Sequence, residues 1–183
     1  MISPKKQRFF ICDFETTGIT DNDHPIEVGI IVCDEDFNFL DSYSSLIAPP
    51  DDCFGTNDIG VKHWSPRYVD AYKVHRIEPE KFSSFNDANI VRQSVQSLVR
   101  LNTVDGRKPI LVSDNIQFEW MHMKKLLGRD DWPFHYCGWD TSLFLEATGI
   151  GDPRNVPHRA LADCGRLYKA IIEALYKTSS LRE

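Results

Sequence analysis

Residues 8–18 read RFFICDFETTG, an apolar run that ends in two acids and a Thr-Thr-Gly turn. The apolar part, Arg8–Phe14, predicts a buried β-strand. Because side chains alternate along a strand, Asp13 and Glu15 point to one face and Phe14 points to the other. Two carboxylates on one face at a strand end suit a hard cation such as Mg²⁺ or Mn²⁺, although two solvated acids would give the same pattern. The Thr-Thr-Gly favours the metal interpretation, since its backbone can approach a ligand closely.

The composition indicates one globular domain that is not a broad binder of nucleic-acid duplexes. The chain has 183 residues, 42% of them hydrophobic and 26% charged, which predicts a single domain over residues 1–183 with its core at about 8–176. Acids outnumber bases, 27 to 21, for a formal net charge of −6. This balance disfavours electrostatic binding of long duplexes, but it is compatible with an enzyme that grips one strand end through metal ions.

The cysteines and the apolar runs bear on the cellular compartment. The five cysteines form no C-x-x-C pair and no zinc-like spacing, and Cys12 and Cys33 lie inside apolar, strand-like runs. Buried free thiols in a reducing compartment are therefore expected. No apolar run follows the basic N-terminal residues, and none has the length of a membrane span. We expect a cytoplasmic protein without a membrane partner.

The pattern along the chain predicts an α/β domain. Three strands joined by short connections suggest an antiparallel meander, and their expected bounds are Arg8–Phe14, Ile26–Asp34 and Asn38–Ile47. Residues 51–63 carry little pattern and are expected to form a loop. Helices and strands then alternate. A short helix is expected from Ser65-Pro66 to about Tyr72, and a longer one is expected to be capped by Asn86, with Val91, Val95, Leu98 and Val99 on one face. The other expected helices are Phe118–Leu127, Thr141–Ala147 and Ala160–Tyr176. The expected strands are Ile110–Val112 and one around Tyr136–Trp139. This order implies a mixed sheet.

Further acids and a histidine occur later in the chain. His158 and Asp163 lie five residues apart, where the last helix is expected to begin, so Asp163 would face the sheet from the first turns while His158 lies on the entering loop. Taken alone, the histidine reads as a surface loop residue and the aspartate as a first-turn acid favoured by the helix dipole. Between these residues and the first strand lies the segment DNIQFE, residues 114–119.

Three segments in this order carry a resemblance. DFETTG at 13–18, DNIQFE at 114–119 and HRALAD at 158–163 resemble the motifs of the DEDD exonucleases of the DnaQ-like family, which includes proofreading subunits, RNase T, oligoribonuclease and the TREX enzymes. The resemblance covers about residues 8–176. A member of the tyrosine branch would have tyrosine four residues before the last aspartate, where this chain has Arg159. His158, five residues before it, is similar to the histidine of the DEDDh branch.

The resemblance implies a fold and a chemistry. The implied fold is ribonuclease H-like: a mixed five-stranded sheet, made of an antiparallel three-strand meander plus two parallel strands, flanked by helices. Asp13, Glu15 and Asp163 would be ligands of two Mg²⁺ or Mn²⁺ ions, and His158 would be the general base that deprotonates the attacking water. Histidine suits this role because its ordinary pKa of about 6.5 lets it accept a proton near neutrality. The implied reaction is 3′→5′ exonuclease hydrolysis of single-stranded DNA or RNA, which releases nucleoside 5′-monophosphates.

The middle motif departs from the family. The usual His-Asn-x-x-Phe-Asp is here Asp114-Asn115-Ile116-Gln117-Phe118-Glu119. Glu119, one methylene longer than the usual aspartate, is the preferred fourth metal ligand, and Asp114 is the alternative. The candidate substrate-binding residues are Thr16, Thr17, Gly18, His75, Asn115 and Phe118. His75 belongs to a segment that resembles the family's His-Gly-Ile-Thr, with Arg76 in place of the glycine, and either of His75 and Phe118 could instead be a packing residue.

Two other functions remain open from the sequence. A weakened nuclease retained as a nucleic-acid or protein binding module would explain the altered middle motif, but the intact Asp13, Glu15, His158 and Asp163 argue against it. A proofreading subunit of a polymerase is the other possibility. No docking tail follows the last expected helix, so a free-standing enzyme that acts on single-stranded 3′ ends is expected. Because many relatives dimerise, a homodimer is a further possibility.

Overall fold

A mixed five-stranded sheet organises the molecule, for which a computed structural model describes residues 6–59, 62–128, 132–150 and 158–180. The strands, in chain order, are β1 (Phe9–Thr16), β2 (Pro25–Cys33), β3 (Phe39–Leu46), β4 (Phe54–Thr56), β5 (Lys62–Trp64), β6 (Ile110–Ser113) and β7 (Trp139–Asp140). The helices are α1 (Val69–His75), α2 (Ala88–Leu101), α3 (Ile116–Leu127), α4 (Ser142–Ala147) and α5 (Ala160–Ser180). Short 3₁₀ turns lie at Asp51–Cys53, Pro66–Tyr68 and Pro79–Ser84.

The strand order in the main sheet is β3-β2-β1-β6-β7. The first three strands form the expected antiparallel meander, while β6 runs parallel to β1 and β7 runs parallel to β6. In the register of β1 with β2, Asp13 lies opposite Gly29 and Glu15 lies opposite Glu27. This topology is that of the ribonuclease H-like fold, so the expected fold class is confirmed.

The two faces of the sheet are covered by different helices, as the alternation along β1 requires. Phe10, Cys12 and Phe14 pack in one core cluster with residues of α2 and α3. Ile11 points to the opposite face, where it packs in a second cluster with Cys164 and other residues of α5. Asp13 and Glu15 have the same parity as Ile11 and so lie on the α5 side. The apolar faces expected for α2 and α5 are the faces that are buried.

The start of α5 lies directly against β2. A Cβ atom added to Gly29 would come within 2.4 Å of the backbone carbonyl carbon of Ala160 and the backbone nitrogen of Leu161. The thiol of Cys164 also lies 3.2 Å from the Gly29 carbonyl oxygen, to which it donates. Only glycine permits this approach, so the sequence of β2 fixes where α5 begins.

Several expected boundaries are wrong by a few residues, because the ends of elements depend on contacts that are distant in sequence. α2 begins at Ala88, capped by Asp87, whose carboxylate accepts a hydrogen bond from the Asn89 amide at 2.7 Å. Asn86, the expected cap, instead pairs its backbone with Leu46 and Ala48 beside the sheet. Ser65 makes no side-chain cap bond, and the helix expected to end near Tyr72 is a 3₁₀ turn followed by α1. The strand expected around 136–139 is the two-residue β7.

The segment 51–63 is not the plain loop that the sequence suggests. It contains a 3₁₀ turn and the strand β4, which pairs antiparallel with β5; residues 60 and 61 lie outside the described residues. Cys53 and Trp64, at the two ends of this segment, are buried together with Ile26 in a third core cluster. These elements are too short to leave a periodic signal, and tertiary packing stabilises them.

The state of the cysteines and the length of the helices can be compared with what the sequence predicts. None of the five cysteines, all of which lie in the described ranges, forms a disulfide, and four of them are buried. Within the described part of the chain, no helix combines the length and the apolar character needed to cross a membrane.

Candidate active site

The predicted acids meet in one cavity at the end of the sheet. Asp13 and Glu15 reach it from β1, and Asp163 reaches it from the first turns of α5. The cavity has a volume of about 450 Å³, and it is lined by the four expected metal ligands, the alternative ligand and the expected general base: Asp13, Glu15, Glu119, Asp163, Asp114 and His158. The fold therefore brings residues that are far apart in the sequence into one cavity. The local sequence pattern around each acid could not show this by itself.

Within this cavity, three donors form a compact group. Glu15, His158 and Asp163 each offer a ligand atom, and these atoms lie within 4.8 Å of one another. Glu15 and Asp163 are buried, whereas His158 is exposed on the loop that enters α5. Asp13 and Glu119 line the same cavity but lie outside this compact group. The arrangement suits a divalent cation with oxygen ligands and one nearby imidazole.

Burial and mutual repulsion raise the pKa values of the acids in this cavity. Burial, and then the charges of Asp163 and Asp114, raises the pKa of Asp13 to about 8. Burial, and then the charge of Asp13, raises the pKa of Glu15 to about 9. Burial also raises the pKa of Asp163, although Arg166 and His158 act in the opposite direction. Carboxylates buried together repel one another, and a divalent cation among them would reverse this effect.

Metal binding is therefore expected to stabilise the protein, and more so at higher pH. Asp13 and Glu15 have pKa values of about 8 and about 9 in the fold, above their ordinary values near 4, so the stability that their protonation contributes is full in acid and is lost as the pH rises through those values. At one fixed Mn²⁺ concentration, about 100 times the dissociation constant at about pH 8, the melting temperature should rise by roughly 5–10 °C at that pH and by less in acid, where the dissociation constant is larger.

Differential scanning calorimetry with and without Mn²⁺, from about pH 5 to about pH 9, measures this shift. Potassium chloride of matched ionic strength is the control. A shift that is absent, or that shrinks as the pH rises, would show that the acids do not form a metal site.

Glu119 is the buried member of the middle motif. It lies in the first turn of α3 with its side chain buried, and its Oε2 atom has no hydrogen-bond partner in the described structure. Burial, followed by the charges of Asp13 and Asp114, raises its pKa well above the usual range, against the opposing effect of the Phe14 backbone. Asp114 also lines the cavity, from the end of β6, but it is exposed. A buried carboxylate oxygen without a partner is the atom that a cation would satisfy.

Arg166 is a cavity residue that the sequence analysis missed. Its Nη2 atom lies 3.0 Å from the Asp163 Oδ1 atom, one turn along α5. It also lines the cavity beside His158 and Asp13. The spacing of three residues on a helix, acid followed by arginine, is a signal that could have identified this contact.

A second cavity, of about 600 Å³, adjoins the first and brings together most of the predicted substrate-binding residues. Thr16, Thr17, Gly18, His75 and Phe118 line it. Asn115 is the exception, since it lines the acid cavity. Phe118 lines both cavities, and so do Phe14 and Glu15. The largely apolar pocket and the acid cavity are therefore neighbours that share these three residues.

The Thr-Thr-Gly turn is held in a tight conformation at the wall of the second cavity. The Thr16 hydroxyl donates to the Gly18 carbonyl oxygen at 2.6 Å, and the Thr17 amide donates to the His24 carbonyl oxygen at 2.9 Å. A Cβ atom on Gly18 would lie 2.6 Å from the Asp23 carboxylate. A side chain at position 18 would therefore displace the Asp23 carboxylate, which the Thr20 amide and hydroxyl hold at 2.7 and 2.6 Å, so this packing favours glycine.

His75 is buried at the end of α1, and only one of its two ring nitrogens has a hydrogen-bond partner in the described structure. Its Nδ1 atom accepts a hydrogen bond from the Ile77 amide at 2.9 Å, and its buried Nε2 atom has no partner in the described structure. Burial lowers the pKa of His75 to about 4, so the ring is neutral and carries its proton on Nε2. Arg76 follows in the left-handed conformation, with φ 53° and ψ 29°, at the position where the related motif has glycine.

The fold and site define a class of protein: an α/β domain of the ribonuclease H-like fold with a cluster of buried acids at the end of β1. The chain matches no protein-family model and no curated protein sequence. Its fold is similar to that of E. coli exonuclease I in several solved structures. In complex with a 5cy-dT13 oligonucleotide, that protein matches with a TM-score of 0.69 and 18% identity, over 97% of this chain and 42% of that one.

Two further structures of the same protein agree. The zinc-bound complex with single-stranded DNA has a TM-score of 0.67 and 19% identity, over 97% of this chain and 42% of that one. The complex with a dA16 oligonucleotide has a TM-score of 0.66 and 18% identity, over 96% and 42% respectively. At these identities the similarity is one of fold, and the chain spans about two fifths of the length of the exonuclease I chains.

Proposed function

We propose that this chain is a metal-dependent 3′→5′ exonuclease of the histidine branch of the DnaQ-like DEDD family. It would hydrolyse phosphodiester bonds at the 3′ ends of single-stranded DNA or RNA and release nucleoside 5′-monophosphates. The observation that carries this proposal is the cavity in which Glu15, His158 and Asp163 place donor atoms within 4.8 Å of one another. The similarity to exonuclease I structures that hold single-stranded oligonucleotides supports the substrate class.

The chemistry of the proposed reaction follows from the residues of the acid cavity. Two Mg²⁺ or Mn²⁺ ions, held by Asp13, Glu15, Glu119 and Asp163, would supply Lewis-acid stabilisation of the charge that develops on the phosphate. His158 would take a proton from the attacking water on a ring nitrogen, and Asp163 beside it would stabilise the imidazolium that results. The water oxygen bonds to phosphorus, the bond from phosphorus to O3′ breaks, and the new 3′ end of the strand takes a proton from solvent.

The second cavity is suited to the terminal nucleotide. Phe118 is half-buried at the junction of the two cavities, where its exposed part could stack on a base, a contact worth about 1–3 kcal/mol. Its ring also packs against His122, with 4.5 Å between centroids, so it serves the core as well. The neutral Nε2–H group of His75 and the backbone of the Thr-Thr-Gly turn would supply donors to the sugar. We further propose that the enzyme works in a reducing compartment such as the cytoplasm, in keeping with its four buried free thiols.

Digestion of matched oligonucleotides tests the proposed function. Single-stranded DNA, single-stranded RNA and dinucleotides, each labelled at the 5′ end, are incubated with Mg²⁺ or Mn²⁺. We expect ladders that shorten by one nucleotide at a time, nucleoside 5′-monophosphates as products, and no reaction in excess chelator. Internal cuts, or the absence of cleavage on every substrate with both metals, would contradict the proposal.

The middle ligand can be identified with two variants. Glu119→Ala is expected to lower kcat by more than about 100-fold, because a ligand should cost more than the 10–100-fold typical of a residue that only supports one. Asp114→Ala is the matched control in the same cavity, and its effect should be less than about 10-fold. Steady-state kinetics in Mn²⁺ measure both. A large loss in Asp114→Ala alone would assign the role to Asp114.

A further inference from the structure

Glu27, on the strand next to β1, holds the segment that carries His158. We propose that Glu27 is a positioning residue: through Arg159 and the first amide of α5, it fixes the backbone from which His158 reaches the acid cavity. The inference rests on the proposed function, because it concerns how the general base of that reaction is held. Neither residue belongs to the set that the sequence analysis assigned to the site.

The contact is a two-pronged ion pair with a third hydrogen bond. The Arg159 Nε atom donates to Glu27 Oε2 at 2.9 Å, and Nη2 donates to Glu27 Oε1 at 2.8 Å. The backbone amide of Ala160 lies 3.4 Å from the same Oε2 atom, to which it donates. Pairs with two parallel bonds between arginine and a carboxylate fix orientation as well as distance. Glu27 thus holds both the side chain of Arg159, which directly follows His158, and the amide of Ala160, which begins α5.

Burial makes this contact hard to replace. The Glu27 side chain is 4% exposed, whereas that of Arg159 is 49% exposed. A buried carboxylate needs its charged partner, because an unpaired buried charge is strongly destabilising. The ion pair offsets the cost of burying the Glu27 carboxylate. It therefore favours the conformation in which the Arg159 side chain lies against the sheet over one that extends into water.

The position of Glu27 in the sheet links it to the acids. Glu27 lies directly opposite Glu15 in the register of β2 with β1. Two residues further along β2, Gly29 allows the backbone of Ala160 and Leu161 to rest on the strand. β2 thus sets the distance of α5 from the sheet at Gly29 and its orientation at Glu27.

His158 depends on this arrangement because it has little packing of its own. Its side chain is exposed, and it directly precedes the residue that Glu27 holds. Asp163 is tied to the same turn, since its amide donates to the Arg159 carbonyl oxygen at 3.0 Å. A displacement of about 1 Å at a reacting group can cost about 100-fold in rate, so loss of the Glu27 contact should act on the chemical step.

The test compares Glu27→Gln, which keeps the size of the side chain, with Glu35→Gln as a matched control. Glu35 also pairs with an arginine, Arg8, at 3.0 Å, away from the cavity. In Mn²⁺, Glu27→Gln is expected to lower kcat by about 10–100-fold with KM changed by less than about 3-fold. Arg159→Lys, which keeps the charge but loses the second prong, should show a smaller loss. Glu35→Gln should match the unmodified protein.

The same substitution in His158→Ala protein distinguishes an effect of Glu27 on His158 from a general effect on the fold or on metal binding. In His158→Ala protein, assayed by single turnover with enzyme in excess, Glu27→Gln should cause no further loss, because its effect passes through His158. An equal loss in both backgrounds would overturn the inference and assign Glu27 to the metal site or to the fold.

Amide hydrogen exchange provides a readout that does not need activity. Glu27→Gln should speed exchange at Ala160, whose amide donates to Glu27, and at Asp163, whose amide donates to the Arg159 carbonyl oxygen, while the rest of α5 keeps its protection. Unchanged exchange at these amides would overturn the inference even if the enzyme is active. An unmodified protein without nuclease activity would instead refute the proposed function, and the exchange result would still decide whether Glu27 holds this turn.

Discussion

Asp13→Asn is expected to abolish metal-dependent hydrolysis and, at the same time, to make the metal-free protein melt at a higher temperature. The loss of kcat should exceed about 100-fold, because the variant removes a carboxylate that would bind metal directly. The gain in stability has an electrostatic cause. Asp13 lies among other acids, and burial together with the charges of Asp163 and Asp114 raises its pKa to about 8. A neutral amide removes that repulsion, as many functional sites give up stability for activity.

Activity assays and calorimetry in chelator at about pH 8 measure the two effects on the same sample. Asp36→Asn, at an exposed turn between β2 and β3, is the matched control and should change neither quantity. The size of the stability gain depends on pH: the difference between Asp13→Asn and the unmodified protein should shrink as the pH falls toward the ordinary pKa of aspartate. An Asp13→Asn protein that keeps its activity, or that melts lower at every pH, would contradict the account.

His158→Gln is expected to lower kcat by about 10²–10⁴-fold, the range typical of a general base. The structure poses a specific alternative, because His158 lies in the same compact group of donors as Glu15 and Asp163. A base and a ligand differ in their effect on metal affinity. If His158 is the base, the dissociation constant for Mn²⁺ should change by less than about 3-fold, whereas loss of a ligand should weaken binding by more than about 10-fold.

Isothermal titration with Mn²⁺, together with kinetics, distinguishes these roles. His63→Gln, at an exposed histidine on β5, is the control for the loss of a histidine as such. Loss of Mn²⁺ affinity in His158→Gln would reassign the residue as a ligand. Full activity in that variant would remove it from the reaction altogether.

The parts of the fold that follow from periodicity could be predicted from the sequence. The alternation of Ile11, Asp13 and Glu15 against Phe10, Cys12 and Phe14 gave the two faces of β1 correctly, because one residue step reverses the side-chain direction. The apolar faces of α2 and α5 followed from helical spacing for the same reason. The mixed sheet followed from the order of the elements.

The contacts that complete the site could not be predicted in this way. Glu27 reads as one acid within an apolar strand, and nothing local shows that it meets Arg159, which lies 132 positions away. β4 and β5 are three residues each, too short to leave a pattern. Arg76 ends α1 in the left-handed conformation, which glycine adopts most easily. With arginine at this position, the sequence does not indicate such a turn. In the first two cases, contacts between residues distant in the sequence decide the structure, and a single sequence does not record them.

The central claim is that water, activated in the acid cavity, cleaves the bond from phosphorus to O3′ at a 3′ end. One turnover of a single-stranded oligonucleotide in Mn²⁺ and water enriched in a heavy oxygen isotope, followed by mass spectrometry, tests it most directly. The account predicts a nucleoside 5′-monophosphate with one heavy oxygen on its phosphate, and no such product from Asp13→Asn. A nucleoside 3′-monophosphate, an unlabelled product, or the same yield from Asp13→Asn would contradict it.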